Sequence, residues 1–167
     1  DNMNLLKGIE YLDNSMVHMA DQVVNNLSIA FDAYLNYQDK EYIVNDDIVD
    51  NLERMIEGEC LHLLLKERPF ASDLRKISGI LKLISDLERL GDHAEDVLEF
   101  ALKLKNTEKH SNEEVDKIVN ITLQMVKDSI EAYIKQDINL AQSVIDRDDL
   151  IDKMYDEIID NIWYMYD

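Results

Sequence analysis

The sequence predicts an all-α protein, and three observations lead to that fold class. The chain of 167 residues contains only one proline and four glycines, so few positions interrupt a helix. Apolar residues recur at helical spacing over long stretches, and no segment alternates apolar and polar residues as a half-buried strand does. Hydrophobic residues make up 46% of the chain, which is enough for a sizeable core. We therefore expect an up-and-down helical bundle.

Five helices follow from the apolar spacing. Asp39 is the expected N-cap for the second helix, Pro69 can begin the third because its fixed φ suits a first helical turn, and Asp137 caps the fifth. The polar stretch "KNTEKHSNEE" separates the third helix from the fourth. The helices are expected at about 4–37, 40–66, 69–105, 112–136 and from 137 to near the chain end.

An internal repeat divides the chain into two modules. "AYLNYQD" at 33–39 recurs as "AYIKQD" at 132–137, and "DDIVDNLERMI" at 46–56 recurs as "DDLIDKMYDEI" at 148–158. We therefore predict tandem three-helix modules, with residues 1–106 complete and residues 112–167 supplying the first two helices of an incomplete second copy. An uncovered apolar face on helices four and five favours a homo-oligomer, a fragment, or a helix supplied by another chain.

The charge balance limits the function classes. A net charge of −19 disfavours nucleic acid and anionic membrane surfaces, and it suits cations or basic partner surfaces. No apolar run approaches the ~18 residues that span a bilayer, so no membrane insertion and a cytoplasmic location are expected. The single cysteine, Cys60, lies in an apolar run and is interpreted as a buried, inert thiol.

Two stripes of carboxylates are the main candidate functional feature. Each stripe has the spacing i, i+4, i+7, i+11, which keeps its members on one face of a helix. Asp46 and Asp50 lie about as far before the turn at Arg68 as Glu88 and Asp92 lie after it, so an antiparallel hairpin brings the four to one level. The stripes are Asp46, Asp50, Glu53 and Glu57 in helix two, and Glu88, Asp92, Glu95 and Glu99 in helix three.

These stripes have two interpretations. Like charges at i,i+4 are slightly unfavourable unless a hard cation binds them, since carboxylate oxygens are the preferred ligands of such a cation. A solvated face of an acidic protein is the alternative. "ECLH" at 59–62 also suggests a carboxylate-bridged di-metal enzyme or storage protein, but that site needs a second Glu-x-x-His, which the chain lacks. His93, beside Asp92, could join a metal site.

Three of the four glycines lie inside the predicted second and third helices, where each costs about 1 kcal/mol relative to alanine. Gly58 and Gly79 fall at the same level of the hairpin, which predicts a close backbone contact there. Gly91 lies between Leu87 and Ala94 on the apolar face, which predicts close helix packing beside the acidic stripes.

The segment "RPFASDLRKISGILKLISDLERLGDHAEDV" resembles the two-part signature of the PhoU family of phosphate-transport regulatory proteins. That signature is Q-P-x-A-x-D-L-R followed, after about a dozen residues, by E-R-I-G-D. Arg68 replaces its glutamine and Leu90 its isoleucine. The resemblance extends from Met16 to the chain end. It implies tandem three-helix modules, a cytoplasmic and often dimeric protein, and no enzymatic activity.

The resemblance also implies metal ligands and partners. The family's E(D)-x-x-x-D motifs fall on Asp46 and Asp50, on Glu88 and Asp92, and on Asp148 and Asp152. The implied ions are divalent or iron cations (Mg, Mn, Fe or Zn), and no other cofactor is expected. The implied role is negative regulation of phosphate-starvation responses, through a phosphate ABC transporter ATPase and a sensor histidine kinase. The family's second E-R-x-G-D helix is absent, so Asp148 and Asp152 lack their expected partner pair.

The segment from Asp73 to Arg75 has two interpretations that the sequence leaves open. In one, Ser72 or Asp73 caps helix three and Arg75 forms a local ion pair. In the other, the segment anchors a partner surface.

Overall fold

A computed structural model describes residues 3–104 and 113–135, together with residues 139, 142–144, 146–147, 149–150 and 152–153. Four helices are bounded within these residues: α1 (Met3–Leu35), α2 (Asp46–Lys66), α3 (Ala71–Leu104) and α4 (Glu113–Lys135). The described residues between positions 139 and 153 are helical as well, and no described residue lies in a strand. The predicted all-α bundle is confirmed.

The first two helices run antiparallel. A Cβ atom added at Gly8, near the start of α1, would lie 2.5 Å from Leu63 Cδ2, near the end of α2. Asn26, in the second half of α1, hydrogen-bonds to Asn45, the residue that precedes α2. Because low residue numbers in α1 meet high numbers in α2, the two helices form an up-and-down pair.

The third helix runs parallel to α1 and therefore antiparallel to α2. Lys76, near the start of α3, forms an ion pair with Asp13 in the first half of α1, with 3.4 Å between Nζ and Oδ2. At the other end, the rings of Tyr34 and Phe100 stack with their centroids 6.0 Å apart. These two contacts fix the level of α3 along the bundle.

The core of the first unit is made of one apolar face from each helix. Buried positions recur every three or four residues, as a helix with one inward face requires. Each fully buried aliphatic side chain contributes about 1.5–3 kcal/mol relative to an exposed one. The fully buried members include Leu12, Met16, Met19 and Leu27 in α1, Ile56, Cys60 and Leu63 in α2, and Ile77, Ile80, Leu87 and Leu90 in α3.

The start of α2 differs from its prediction. The helix begins at Asp46 and not near residue 40, and its N-cap is Asn45 and not Asp39. The preceding loop has its own contacts, because the Gln38 N–H donates to the Tyr42 hydroxyl and Lys40 Nζ lies 5.1 Å from the centre of the Tyr42 ring. Helical periodicity alone does not reveal such side-chain partners.

The glycine contact predicted at Gly58 and Gly79 is wrong. Both residues are exposed, and a Cβ atom added at either would meet nothing within 4 Å. Gly91, by contrast, is buried, and an added Cβ would lie 3.5 Å from Val49 and 3.8 Å from Val23. Close packing at Gly91 is therefore confirmed, although a methyl group would make ordinary van der Waals contacts there.

The chain divides into two compact units, Asp1–Leu102 and Lys103–Asp167. In the second unit, Met125 of α4 packs against Val144, and the partly buried Ile121 of α4 lies beside them. Ser129 is also buried in α4, and its hydroxyl donates to the Met125 carbonyl of the same helix.

The residue at which α3 begins tests the first of the two interpretations of the segment from Asp73 to Arg75. The helix begins at Ala71, so Ser72 and Asp73 lie inside it and neither caps it. Arg75 is exposed and forms no ion pair with another described residue. The local interpretation of this segment therefore lacks both of its expected contacts.

None of the helices within the described residues has an apolar stretch long enough to span a membrane.

Candidate metal centre

The start of α2 and the middle of α3 bring carboxylates together. Asp46 is the first residue of α2, and its Oδ1 would lie 3.7 Å from a Cβ atom added at Gly91 of α3. Glu53, two turns further along α2, hydrogen-bonds to Glu88 of α3. The hairpin therefore places Asp46 and Asp50 opposite Glu88 and Asp92, at the level that the sequence predicts.

Asp46 contributes a buried carboxylate oxygen to this cluster at the α2 start. The pKa of its carboxyl is raised from 3.8 to about 6, first by burial and then by the charges of Glu95, Asp50, Asp92 and Glu88 in that order. Because all four of these charges are negative, ionising Asp46 is unfavourable among the described residues of the cluster. A bound cation would remove that penalty.

Glu53 of α2 and Glu88 of α3 interact across the two helices. The pKa of Glu53 is raised from 4.5 to about 7, first by burial, then by a hydrogen bond with Glu88 and by the charge of Glu88. Two acids at such close range favour a proton on one of them. A metal ion can replace that proton between the two carboxylates.

The pKa values of Asp92 and Glu95 in α3 are raised for similar reasons. Burial raises the pKa of Asp92, and the charges of Glu88 and Asp50 add to the increase. Burial also raises the pKa of Glu95, with Asp92 and Asp50 as the next causes. The predicted ligands Asp50, Glu88 and Asp92 therefore interact electrostatically across the α2–α3 contact.

The donor set of this cluster fits a hard or borderline cation. Asp46 Oδ1 and Glu53 Oε2 are buried oxygens with no hydrogen-bond partner among the described residues, which is unfavourable for a polar atom removed from water. Carboxylate oxygens are the ligands that Mg, Mn and Fe prefer, and they also bind Zn. In the described part of the chain, however, no three His, Cys, Asp or Glu side chains already converge on one point. Metal binding would therefore require the carboxylates to change rotamer.

Two acids and one amide belong to this region although they were not among the six predicted ligands. Glu53 and Glu95 lie on the predicted stripes, and a strict Asp/Glu-x-x-x-Asp spacing leaves them out. Asn26 is 1% exposed on α1 and hydrogen-bonds to Asn45, next to Asp46. A polar residue on an otherwise apolar helical face was the only sequence signal for Asn26.

The structure adds less about the other candidate ligands. Asp148 lies outside the described residues, and Asp152 is described as helical. His62 is exposed, and Glu59 lies 13 positions after Asp46 on α2, which is about 20 Å along a helix. The Glu59–His62 motif is therefore separate from the acidic cluster. Cys60 is fully buried, and burial raises the pKa of its thiol to about 12, as expected for an inert cysteine.

A sequence profile of the PhoU domain matches residues 16–101 and 115–166 of this chain, which is most of its length. The chain belongs to the PhoU family. The two matched ranges also fall one in each of the two compact units.

Individual PhoU proteins are similar over most of the chain. A phosphate-specific transport system accessory protein PhoU homolog of Aquifex aeolicus is 37% identical over 93% of this chain and 72% of its own length. The homolog of Clostridium acetobutylicum is 34% identical over 92% of this chain and 73% of its own length. The accessory protein PhoU of Escherichia coli is 31% identical over 95% and 71%, respectively.

Proposed function

We propose that this chain is a non-enzymatic, metal-binding regulator of phosphate uptake and phosphate-starvation signalling. Membership of the PhoU family supports the phosphate part, because its relatives are named as accessory proteins of a phosphate-specific transport system. The acidic cluster supports the metal part, because burial and neighbouring carboxylates raise the pKa values of Asp46 and Glu53, and one buried oxygen of each has no hydrogen-bond partner in the described part of the chain.

The proposed ligands are Asp46, Asp50, Glu88 and Asp92, with Glu53 and Glu95 close enough to take part. The ion would be Mg, Mn, Fe or Zn, and its role would be to neutralise the cluster and hold α2 against α3. Asp148 and Asp152 are proposed as ligands of the second module.

Metal binding can be tested by melting temperature. Bound metal stabilises the fold by RT ln(1 + [L]/Kd), which is about 2.7 kcal/mol at a hundredfold excess over Kd. Changing Glu88→Gln together with Asp92→Asn should abolish the metal-induced rise, because the charges are lost at nearly constant shape. Without metal this double variant should melt no lower than the parent, since like-charge repulsion is relieved.

A matched control separates ligand loss from charge loss. Asp21→Asn with Glu41→Gln removes the same charge from exposed positions outside the stripes and should leave the metal response intact. If neither the four metals nor EDTA changes the melting temperature of the parent, the stripes are only a solvated acidic face.

Regulation would proceed by docking to a phosphate ABC transporter ATPase and to a sensor histidine kinase. Six large apolar side chains are exposed where α2 ends, α3 begins and α1 begins. We name this surface the α2–α3 tip, and it consists of Met3, Leu6, Leu61, Leu65, Phe70 and Leu74. Phe70 is 86% exposed and Leu65 76%, and large apolar side chains exposed in number at one end of a helical unit favour an interaction site.

The charge around the tip differs from that of the chain as a whole. Lys66, Arg68 and Arg75 lie there. Glu67 and Asp73 lie between them, so this segment is close to neutral, whereas the chain carries a net charge of −19. Arg68 also has a positive φ of 43°, an uncommon conformation that fixes the direction of the turn. We therefore propose that the tip binds an apolar segment of the partner protein.

Docking can be tested with purified transporter ATPase from the same organism. Phe70→Asp should abolish binding, whereas Met55→Asp should leave it intact, because Met55 is 53% exposed on α2 away from the tip. Equal binding by both variants would contradict the tip as the docking surface. Binding of the parent to anionic lipid vesicles, lost in Phe70→Asp, would instead assign the tip to a membrane.

The regulatory role has its own test. Loss of the gene should raise phosphate-starvation gene expression in phosphate-rich medium, and the purified chain should show no turnover. A metal-dependent oxidase or hydrolase activity abolished by Glu59→Gln would instead favour the di-metal enzyme. A cytoplasmic location and a homo-oligomer complete the proposal, and cell fractionation and the mass in solution would test them.

A further inference from the structure

Asn26 makes an unusual pair of contacts for a residue on a core-facing helical surface. Its side chain is 1% exposed. Its Nδ2 donates to the Asn45 carbonyl oxygen at 3.1 Å, and its Oδ1 accepts from the Asn45 N–H at 3.3 Å. One side-chain amide of α1 therefore satisfies both backbone groups of a residue that lies 19 positions later.

Asn45 is the residue at which α2 begins. Its Oδ1 accepts a hydrogen bond from the Ile48 N–H at 3.3 Å, which is the usual N-cap contact. The next residue is Asp46. Because Asn26 holds the backbone of the cap itself, it fixes where the first turn of α2 lies relative to α1.

The position of that turn determines where the acids point. A helix advances about 100° and 1.5 Å per residue. A one-residue shift of the start would therefore turn Asp46 and Asp50 away from Glu88 and Asp92 on α3. The carboxylates also repel one another, and the first turn of a helix opens most easily. The Asn26 contacts oppose both tendencies.

We propose that Asn26 is a positioning residue for the acidic cluster: by clamping Asn45 it holds the backbone of Asp46 and Asp50 opposite the acids of α3, so that only rotamer changes are needed for their carboxylates to reach one cation. This inference rests on the proposed metal site. Asn26 itself is not a ligand, since its amide is already bonded to Asn45.

The second unit offers a suitable substitution. The buried positions of α4 match those of α1, and the position equivalent to Asn26 is Met125, which is 1% exposed. A methionine has no N–H to donate and is at most a weak acceptor. Asn26→Met therefore removes the clamp while keeping a side chain that an equivalent helical face already buries.

The experiment compares Asn26→Met with Leu12→Ala. Leu12 is fully buried on α1 towards the opposite end of the bundle, so its variant is destabilised without touching Asn45. Two quantities are measured under conditions in which all proteins are folded. One is the hydrogen-exchange rate of the Ile48 amide without metal, and the other is the Mn²⁺ affinity by calorimetric titration.

Asn26→Met should speed exchange at Ile48 and weaken Mn²⁺ binding about tenfold, as is typical when a partner that orients metal ligands is lost. Leu12→Ala should change neither by more than about twofold, because fully buried core packing away from the cap sets global stability and not the start of α2. Asn26→Leu is nearly isosteric and uncharged and also removes both contacts, so it should behave as Asn26→Met does and provides a second variant if the methionine variant does not fold.

Three results would overturn the inference or separate it from the metal site. Unchanged exchange and affinity in Asn26→Met would overturn it, and so would an equal loss in Leu12→Ala, because Asn26 would then act only through stability. If the parent binds no Mn²⁺, Mg²⁺, Fe²⁺ or Zn²⁺, the proposed metal site fails, and the exchange rate at Ile48 alone decides whether Asn26 fixes the start of α2.

Discussion

Helices α1 and α4 bury the same pattern of positions with different side chains. Met19, Ala20, Val23, Asn26, Leu27, Ala30 and Ala33 are buried in α1, and Ile118, Val119, Thr122, Met125, Val126, Ser129 and Ala132 are buried in α4. Taken in order, every member of the first set has its counterpart in the second at a constant separation along the chain. The sequence repeat therefore extends to the inward face of each helix.

The two helices differ in how they use buried polar groups. Asn26 connects α1 to the residue that begins the next helix, whereas Ser129 donates to a carbonyl of its own helix. Charged groups differ as well. Burial alone would raise the pKa of Asp128 in α4, but hydrogen bonds from Gln124 and Arg147 lower it overall. The apolar pattern is thus common to α1 and α4, and the polar positions distinguish the two helices.

The largest expected effect tests the shared pattern. Leu27→Ala should lower the free energy of unfolding by about 2–5 kcal/mol, because Leu27 is fully buried. Its counterpart variant, Val126→Ala, should cost less, since a valine loses fewer carbons from the core, at about 0.8 kcal/mol each. Chemical denaturation followed by circular dichroism measures both.

Val17→Ala provides the control, because Val17 is 40% exposed on α1 and its loss should cost within about 0.5 kcal/mol. A Val126→Ala variant as stable as the parent would show that α4 does not use this face as α1 does.

The next effect concerns pH and has opposite signs in the two units. Without metal, Asp46 and Glu53 have pKa values raised to about 6 and about 7. The folded state then binds more protons than the unfolded one, so their contribution falls as pH rises from about 4 to about 7. The lowered pKa of Asp128 acts in reverse, and its contribution is lost as pH falls below the ordinary value of 3.8.

Hydrogen exchange by mass spectrometry, corrected for the intrinsic rate at each pH, can follow the two units separately. Glu53→Gln should flatten the decline in the first unit and leave the second unchanged. A first unit that grows more stable between pH 4 and 7 would contradict the pKa shifts of the cluster.

The smallest expected effects separate the glycines of the first unit. Gly58→Ala and Gly79→Ala should each raise the free energy of unfolding by about 1 kcal/mol, because both are helical and an added methyl group meets open space. Gly8→Ala should gain nothing, since its methyl group would lie 2.5 Å from Leu63 Cδ2 and force that buried side chain to move. Thermal unfolding of the three variants would show whether Gly58→Ala and Gly79→Ala gain stability and Gly8→Ala does not.

The apolar periodicity of the sequence was sufficient to predict the helices. Counting residues before and after the turn at Arg68 was sufficient to predict that the acids of α2 and α3 lie at one level. Asp46 lies beside Gly91 because both positions follow from the length of a hairpin that reverses near Arg68. The start of α2 was missed because it depends on Asn26, a contact between residues far apart in sequence that no local pattern encodes. The predicted contact between Gly58 and Gly79 was wrong because a helix tolerates an exposed glycine without any packing reason. The roles of the six predicted ligands remain predictions.

The burial of Cys60 has a practical consequence. The chain contains a single cysteine, and that thiol is fully enclosed and rarely ionised. A cysteine introduced at the exposed Ser72, beside Phe70 at the α2–α3 tip, would therefore be the only thiol that a maleimide dye reaches quickly. Fluorescence from that one site could follow encounters at the α2–α3 tip without first removing the native cysteine.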